Sequence, residues 1–216
     1  MRREILTSFK GYVLFLKESG YFALEKSKVI IPDKTSMLME IADEISVCRK
    51  CPLDSSRNKT VPGNGNPDAD LVFVGEAPGY NEDRQGLPFV GQAGRLLDRL
   101  LSNIGLSRED VFICNVIKCR PPKNRDPRPD EIEMCEDYLV RQLDILQPKV
   151  ICALGRYAAQ TLLRTSTGIN RLRGKFQNYH DIPLLPTLHP AAALHNESRL
   201  PDIERDFEIL KKKLEE

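Results

Sequence analysis

Hydrophobic positions along the chain form short continuous runs that alternate with longer stretches of helical spacing. Four short runs are rich in β-branched or other apolar residues, and they cover 71–74, 111–117, 150–154 and 182–185. Helical patterns such as GRLLDRLLSNIG and PDEIEMCEDYLVRQLDIL lie between them. Strands that alternate with helices favour a parallel sheet with helices on both faces, so the sequence predicts an α/β fold.

The first part of the chain differs from this alternating region. Residues 1–35 begin with helical periodicity and continue into an extended stretch, and we interpret them as a partly helical N-terminal extension. Residues 36–216 form the predicted main domain, which begins with a helix leading into Cys48. Further along, Pro129 followed by acidic residues predicts another helix start, which places Cys135 in the first or second helical turn.

Composition is that of an ordinary soluble domain. Hydrophobic residues make up 41% and charged residues 29% of the 216 residues, and no apolar run reaches the roughly 18 residues that cross a bilayer. The N-terminus lacks the continuous apolar centre of a signal peptide, so we expect a cytoplasmic protein without membrane contact. The net charge of +1 indicates that any nucleic-acid surface is a local patch.

Four of the six cysteines are candidate metal ligands. Cys48 and Cys51 form a Cys-x2-Cys turn, and Cys119 and Cys135 follow far downstream. In a reducing compartment, four thiolates suit either a [4Fe–4S] cluster or a tetrahedral zinc ion, and the spacing does not decide between them. The other two cysteines lie inside strand-like runs and are predicted core residues.

Distinctive side chains follow the predicted strands. The ligand site of an open α/β sheet lies outside the carboxyl ends of its strands, so we expect these loops to converge. Glu76 follows the first strand and is a candidate to position water, although a solvated turn acid is the plain alternative. Asn115 ends the second strand and suits the edge of a base, or else a structural hydrogen bond.

Two ring-bearing residues complete this candidate site. Phe89 lies between proline and glycine in GLPFVG, where it suits stacking on a planar ring, although core packing is an equal alternative. His189 follows the fourth strand and is the candidate donor to a developing oxyanion. The other two histidines lie in polar, turn-like segments and are predicted surface residues.

Several motifs resemble, in order and spacing, those of the family 4 uracil-DNA glycosylases. They are GEAPGxxEDxxGLPFVGxAG at 75–94, NVIKCRPPxNRxPxPxE at 115–131, CALG at 152–155, GINRLRG at 168–174 and LHPAAAL at 188–194. The similarity extends over about residues 40 to 212. It implies a three-layer αβα sandwich with a central four-stranded parallel sheet.

The resemblance also implies an activity and a cofactor. A family 4 enzyme flips uracil out of DNA and hydrolyses its N-glycosidic bond, which releases free uracil and leaves an abasic site for base excision repair. The same resemblance implies a [4Fe–4S] cluster held by Cys48, Cys51, Cys119 and Cys135. We expect the partner to be uracil-containing DNA, double- or single-stranded, and the protein to be a monomer.

Residue roles follow from the matching motifs. Glu76 is the expected catalytic carboxylate acting on water, His189 contacts uracil O2, Phe89 stacks on the base and Asn115 reads its edge. The other expected pocket residues are Ala77, Pro78 and Gly79, together with Asp83 as a supporting acid and Tyr80 as a hypothetical block against thymine. The expected DNA contacts are Leu194 as a wedge and Arg171 and Arg173 at phosphates.

Three other functions fit part of the pattern. A uracil-DNA-binding protein that becomes covalently trapped through a histidine in an inserted basic loop is disfavoured, since the segment between Cys119 and Cys135 has neither insertion nor histidine. A non-catalytic DNA-binding module with a metal or cluster would need Glu76 and His189 only for binding. A redox protein is disfavoured, since no flavin or dinucleotide signature is found.

Overall fold

The computed structural model describes residues 33–216, which form one compact unit. Most of the predicted N-terminal extension therefore lies outside the described residues. Helix α1 (Lys34–Ser46) begins after Asp33, whose carboxylate accepts a 2.8 Å hydrogen bond from the backbone N–H of Ser36. This cap places the first helix two residues before the predicted domain start at residue 36.

The other elements follow in the predicted alternation. The remaining helices are α2 (Tyr80–Gln85), α3 (Gln92–Asn103), α4 (Pro129–Leu146), α5 (Arg156–Leu163), α6 (Ile169–Leu172), α7 (Pro190–His195) and α8 (Leu200–Leu214). The strands are β1 (Asn64–Gly65), β2 (Leu71–Gly75), β3 (Val111–Asn115), β4 (Val150–Leu154), β5 (Gln177–Tyr179) and β6 (Ile182–Thr187). None of the helices in this described part combines the length and apolar content needed to cross a membrane.

The sheet confirms the predicted α/β fold. Its strand order is β1-β3-β2-β4-β6-β5, and the four central strands are parallel. The two edge strands are antiparallel to their neighbours and were not predicted. They are only two and three residues long, so they carry too few positions to show the alternation typical of a strand.

Helices cover both faces of the sheet. Successive strand residues point to opposite faces, so Val72 and Val74 pack in one core while Leu71 and Phe73 pack in the other. The first core contains residues of α1, α4 and α5, and the second contains residues of α3 and α8. The molecule is therefore the expected three-layer αβα sandwich.

A buried ion pair joins the end of α6 to α8. Arg173 donates hydrogen bonds of 2.9 and 3.1 Å to the two carboxylate oxygens of Asp206, which is only 2% exposed. Asp206 also accepts a 2.5 Å hydrogen bond from the hydroxyl of Thr187 at the end of β6. The sequence analysis predicted that Arg173 contacts a DNA phosphate, but in the structure its guanidinium forms an ion pair with the buried carboxylate of Asp206.

We expect Arg173→Met to lower the free energy of unfolding by about 3 kcal/mol, because it leaves the Asp206 carboxylate buried without its counter-charge. Urea unfolding followed by circular dichroism measures the change. The matched control is Arg171→Met on the exposed arginine two residues earlier, which should change stability by less than about 0.5 kcal/mol. Equal losses in the two variants would contradict this assignment.

Candidate active site

The carboxyl ends of the parallel strands define one edge of the sheet. Gly75 at the end of β2 aligns with Asn115 at the end of β3, and Leu154 of β4 aligns with Thr187 of β6. In the sheet, β3 lies on one side of β2 and β4 lies on the other. This change of direction opens a crevice between the loops after β2 and β4, where α/β proteins bind ligands.

Gly75 allows two predicted site residues to meet. A Cβ atom at this position would lie 2.3 Å from Oδ1 of Asn115 and 2.8 Å from the ring of Phe89. Both distances are far shorter than van der Waals contact, so only glycine fits. The side chains of Asn115 and Phe89 therefore occupy the space above Gly75.

Phe89 is held in an unusual backbone conformation. Its φ of 51° is left-handed, and Arg108 donates hydrogen bonds to the carbonyls of Pro88, at 3.1 Å, and of Phe89 itself. A Cβ atom at Gly94 would lie 1.7 Å from the Phe89 carbonyl oxygen, so glycine is required there as well. The Phe89 ring stacks against that of His189 with 5.4 Å between centroids.

His189 follows β6 and caps helix α7. Its Nδ1 accepts a 3.1 Å hydrogen bond from the backbone N–H of Ala191, so in the neutral ring the proton is on Nε2. Burial lowers the pKa of His189 to about 4, and the carboxylate of Glu82 partly opposes this change. His189 is therefore a neutral donor at physiological pH, with its Nε2–H free for a ligand.

Glu76 is the first residue after β2 and is partly buried. Burial raises its pKa to about 7, the nearby Asp126 carboxylate adds to the increase, and the Arg156 guanidinium opposes it. Burial at this edge of the sheet thus raises the pKa of the Glu76 carboxyl and lowers that of the His189 imidazole, because it disfavours the charged form of each. Opposite shifts of this kind are typical of catalytic sites.

Asn115 is 1% exposed and has an unpaired polar atom. Its Oδ1 is the one buried side-chain nitrogen or oxygen among residues 33–216 that lacks a hydrogen-bond partner. Burying an unpaired amide oxygen is costly, and such atoms in native proteins call for an explanation. A ligand N–H placed over the Phe89 ring would supply the missing donor.

Glu82 is a site residue that the sequence reasoning left without a role. Its Oε1 accepts hydrogen bonds of 2.9 Å from the backbone N–H groups of Val90 and Gly91, so it fixes the loop that carries Phe89. It is also the charge that acts on His189. The signal was present in the sequence, because Glu82 is part of the GEAPGxxED motif.

The other predicted pocket residues occupy different positions around Glu76. Asp83 is buried and accepts hydrogen bonds from the backbone N–H of Asn58, at 2.9 Å, and from the Asn58 side chain. Its carboxylate therefore anchors a neighbouring loop. Ala77 packs partly against the core, Pro78 is buried and Gly79 precedes α2 as its N-cap residue.

Tyr80 lies at the surface. Its side chain is 51% exposed, and its ring lies beside the guanidinium groups of Arg84 and Arg120, with 5.7 and 5.1 Å to the ring centroid. Arg84 also donates a 3.0 Å hydrogen bond to the Tyr80 hydroxyl. These contacts direct Tyr80 toward basic surface residues, and they give no support to a role in blocking thymine.

The predicted DNA contacts also differ in their surroundings. Leu194 on α7 is 44% exposed, and Arg171 on α6 is exposed as well, so both are accessible. Arg173 is engaged with Asp206 as described above. Lys118, one of the basic residues near Cys119, is fully buried and therefore cannot contact a phosphate at the surface.

The four candidate metal ligands line one small pocket. Cys48, Cys51, Cys119 and Cys135 share it with Ile45, Lys50, Arg57, Lys118, Met134 and Tyr138. Two hydrogen bonds of 3.3 Å point at the sulfur atoms, one from the Arg57 guanidinium to Cys119 and one from the backbone N–H of Lys118 to Cys135. Within residues 33–216, no three His, Cys, Asp or Glu side chains converge closely enough to hold a metal ion.

A buried lysine connects this cysteine pocket to the strand ends. The Lys118 ammonium donates 2.7 Å hydrogen bonds to the backbone oxygen of Asn115 and to Oε1 of Gln142, and Gln142 donates in turn to the Pro62 carbonyl. Burial lowers the pKa of Lys118, although nearby cysteine thiols oppose this change. The backbone of the same residue donates to Cys135, so one lysine contacts both sites.

The fold and the side chains at the strand ends define an α/β protein with a candidate ligand site at the carboxyl ends of a parallel sheet. The model of the uracil DNA glycosylase superfamily matches residues 62–214. The chain belongs to this superfamily.

Individual relatives agree with the family assignment. The type-4 uracil-DNA glycosylase of Saccharolobus solfataricus is 49% identical over 81% of this chain and 85% of its own length. That of Archaeoglobus fulgidus is also 49% identical, over 79% of this chain and 89% of its own. A type-5 uracil-DNA glycosylase of Thermus thermophilus is 33% identical over 63% of this chain and 68% of its own.

We expect Glu76 to have a pKa of about 7. An NMR titration that follows the carbon signal of its carboxyl group would measure this value. Asp126→Asn should lower this pKa because it removes a repelling negative charge, and Arg156→Gln should raise it because it removes an attracting positive one. Glu133→Gln, an exposed acid on α4, serves as the control and should leave the Glu76 signal unchanged. Titration near the usual value for glutamate would contradict the burial of this group.

Proposed function

We propose that this protein is a uracil-DNA glycosylase, which hydrolyses the bond between uracil and deoxyribose. The observation that carries the proposal is the unpaired, buried Oδ1 of Asn115 next to the Phe89 ring. Uracil has a flat ring to stack on Phe89 and an N–H to donate to that oxygen. The relatives that match over most of the chain carry the same activity in their names.

Substrate recognition requires that the uracil leave the base stack. Extrusion costs a few kcal/mol and is easiest at a mismatched pair or in a single strand. In our proposal the exposed Leu194 fills the vacated space as a wedge, and the extruded base stacks on Phe89 with its polar edge at Asn115. The exposed Arg171 serves as a phosphate contact beside this opening.

Bond cleavage separates charge between sugar and base. The C1′–N1 bond breaks with its electron pair on uracil, so negative charge develops on the base, notably at O2, and positive charge on the sugar. The neutral His189 donates its Nε2–H to O2 and thus stabilises the transition state more than the ground state. A neutral imidazole suits this task because its proton is held on Nε2 by the Nδ1 cap to Ala191.

Glu76 acts on the sugar side of the reaction. Its carboxylate holds a water molecule near C1′, the water oxygen bonds to C1′, and the released proton passes to the carboxylate. A glutamate with a pKa of about 7 accepts a proton readily near neutral pH. Because only the ionised form can do so, kcat/KM is expected to rise as the pH increases through about 7.

The remaining predicted pocket residues shape the loop around Glu76. Backbone groups of Ala77 and Gly79 complete the wall, Pro78 stiffens it, and Asp83 supports it through Asn58. The proposal that Tyr80 excludes thymine is weakened by its exposure and its arginine contacts. A Tyr80→Ala variant that still rejects thymine would end that part of the proposal.

The cysteine pocket fits a [4Fe–4S] cluster as a structural group. Four cysteines that share one pocket, with N–H donors to two sulfurs, suit thiolate ligation of a metal group. The resemblance to the family 4 enzymes, and the similarity to relatives named type-4, favour a [4Fe–4S] cluster over zinc. The four thiolates would hold the cluster through iron–sulfur bonds, which would tie the segment after α1, the loop at Cys119 and α4 together, and glycosidic hydrolysis needs no electron from it.

We further propose that the protein acts as a monomer on uracil in chromosomal DNA, in the cytoplasm of a prokaryotic cell. All the proposed pocket residues belong to a single chain. We expect the protein to act on uracil in either double- or single-stranded DNA.

Uracil excision tests the proposal directly. The protein should release uracil from a uracil-containing oligonucleotide and leave alkali-labile abasic sites, detected as strand scission on a gel. His189→Ala and Glu76→Gln should each reduce kcat by roughly 100- to 1000-fold, since each removes one group aimed at the transition state. The control His195→Ala changes an exposed histidine on α7 and should retain wild-type activity. Tight, uracil-specific binding without scission would indicate a binding module instead.

Metal analysis tests the cluster. Protein purified without oxygen should carry about four iron atoms per chain and show the visible absorbance of a thiolate-bound cluster. Cys119→Ser should lose most of this iron, whereas Cys152→Ala, a core thiol in the opposite layer, should keep it. One zinc ion and no iron in the wild-type protein would contradict the assignment.

A further inference from the structure

We propose that Arg156 binds a DNA phosphate next to the extruded nucleotide, and that Asp126 competes with that phosphate for the same guanidinium. This inference rests on the proposed function and adds a residue for which neither the motifs nor the family match supplies a role. It assigns to Arg156 the phosphate contact that the structure does not support for Arg173.

Position is the first argument. Arg156 is the first residue of α5 and follows Gly155 directly after β4, which lies between β2 and β6 in the sheet. A Cβ atom at Gly155 would lie 3.0 Å from Cβ of His189, so the start of α5 contacts the catalytic edge. The Arg156 guanidinium is also close enough to lower the pKa of Glu76 by charge attraction. A phosphate of the extruded nucleotide must come to this same edge.

The second argument concerns which arginines are free to change partner. Arg173 is held by Asp206, and Arg125 makes hydrogen bonds of 2.8 and 2.5 Å to Glu131, which is fully buried. Separating either pair would leave a buried carboxylate without its counter-charge, which is strongly unfavourable. These two arginines are therefore structural.

Arg156, in contrast, forms an ion pair that is exposed to solvent. It donates 3.1 and 2.9 Å hydrogen bonds to the carboxylate of Asp126 and the hydroxyl of Tyr157, and its guanidinium lies over the Tyr157 ring, 4.5 Å from the centroid. The side chains of Arg156 and Asp126 are 51% and 67% exposed. An exposed ion pair of this kind is worth about 1 kcal/mol or less, so an incoming phosphate can displace the carboxylate.

Charge near the pocket gives the third argument. Glu76 and Asp126 place two carboxylates at the opening through which a polyanion must pass, and both repel DNA. Arg156, which is paired with Asp126, is the positive group that acts on Glu76. Tyr157 restricts its guanidinium through the hydrogen bond and the ring contact, which keeps the charge at the opening when Asp126 is displaced.

Salt-dependent binding tests the proposal. The probe is a duplex with 2′-fluoro-2′-deoxyuridine, in which the fluorine slows glycosidic cleavage, and binding is measured by fluorescence anisotropy over a series of salt concentrations. Arg156→Gln should weaken binding by about tenfold and reduce the slope of log K against log salt by about 0.9, the value for one phosphate contact. The matched control is Arg164→Gln at the opposite end of α5, which removes an exposed arginine that is paired with Glu136 and should leave the slope unchanged.

Substitution of Asp126 distinguishes competition for the Arg156 guanidinium from simple repulsion of the DNA. Asp126→Asn should tighten binding several-fold in the wild-type background, because Arg156 no longer has a competing partner. In the Arg156→Gln background the same substitution should have little effect. A gain that persists in the double variant would show general repulsion and would overturn the competition.

Three further results would contradict part or all of this proposal. A salt slope for Arg156→Gln equal to that of Arg164→Gln would overturn the phosphate contact. An Asp126→Asn variant that weakens binding as much as Arg156→Gln would show that Asp126 positions the arginine and does not compete. If the wild-type protein neither binds this duplex nor releases uracil, the proposed function itself fails, whereas excision with an unchanged slope refutes only the role of Arg156.

Discussion

The close approach of Asn115 and Phe89 over Gly75 is the contact on which the pocket depends. Asn115 comes from the end of β3 and Phe89 from the loop before α3, and any side chain at Gly75 would separate them. The approach is possible because β2 and β3 end in register, with Gly75 directly beside Asn115. The hydrogen bonds of Arg108 and Glu82 to the loop around Phe89 then hold the ring in place. Sheet register, the glycines at positions 75 and 94 and two partly buried polar anchors thus create the site together.

A second constraint is the burial of Lys118. Its ammonium has neutral hydrogen-bond partners, the carbonyl of Asn115 and the amide oxygen of Gln142, and the thiols of the cysteine pocket lie nearby. A buried charge is costly unless an opposite charge lies close to it. Thiolates that bind a cluster would supply that negative charge. The polar chain from the cysteine pocket to Asn115 therefore gives a physical reason for the two sites to occur in one fold.

Burial also explains how one edge of the sheet provides a donor and a base at the same pH. It keeps His189 neutral, and it raises the pKa of Glu76 to about 7. The exposed charges of Asp126 and Arg156 then adjust Glu76 in opposite directions. In our proposal, catalysis and DNA binding are linked, because the two charges that shift the pKa of Glu76 are also those that compete for, or bind, a DNA phosphate.

The sequence by itself determined the α/β class, the four central strands, the helix that begins at Pro129 and the motif residues at the strand ends. Local patterns carry that information, since hydrophobic spacing and loop composition belong to neighbouring residues. It could not show the two edge strands, which are too short for periodicity, or the loop-fixing role of Glu82. Only the tertiary structure decided which charges are available: it buried Lys118, paired Arg173 with Asp206, left Tyr80 at the surface and placed Arg156 beside Glu76. These outcomes depend on contacts between residues far apart in the chain, and burial and ion pairing of that kind leave no local pattern in the sequence.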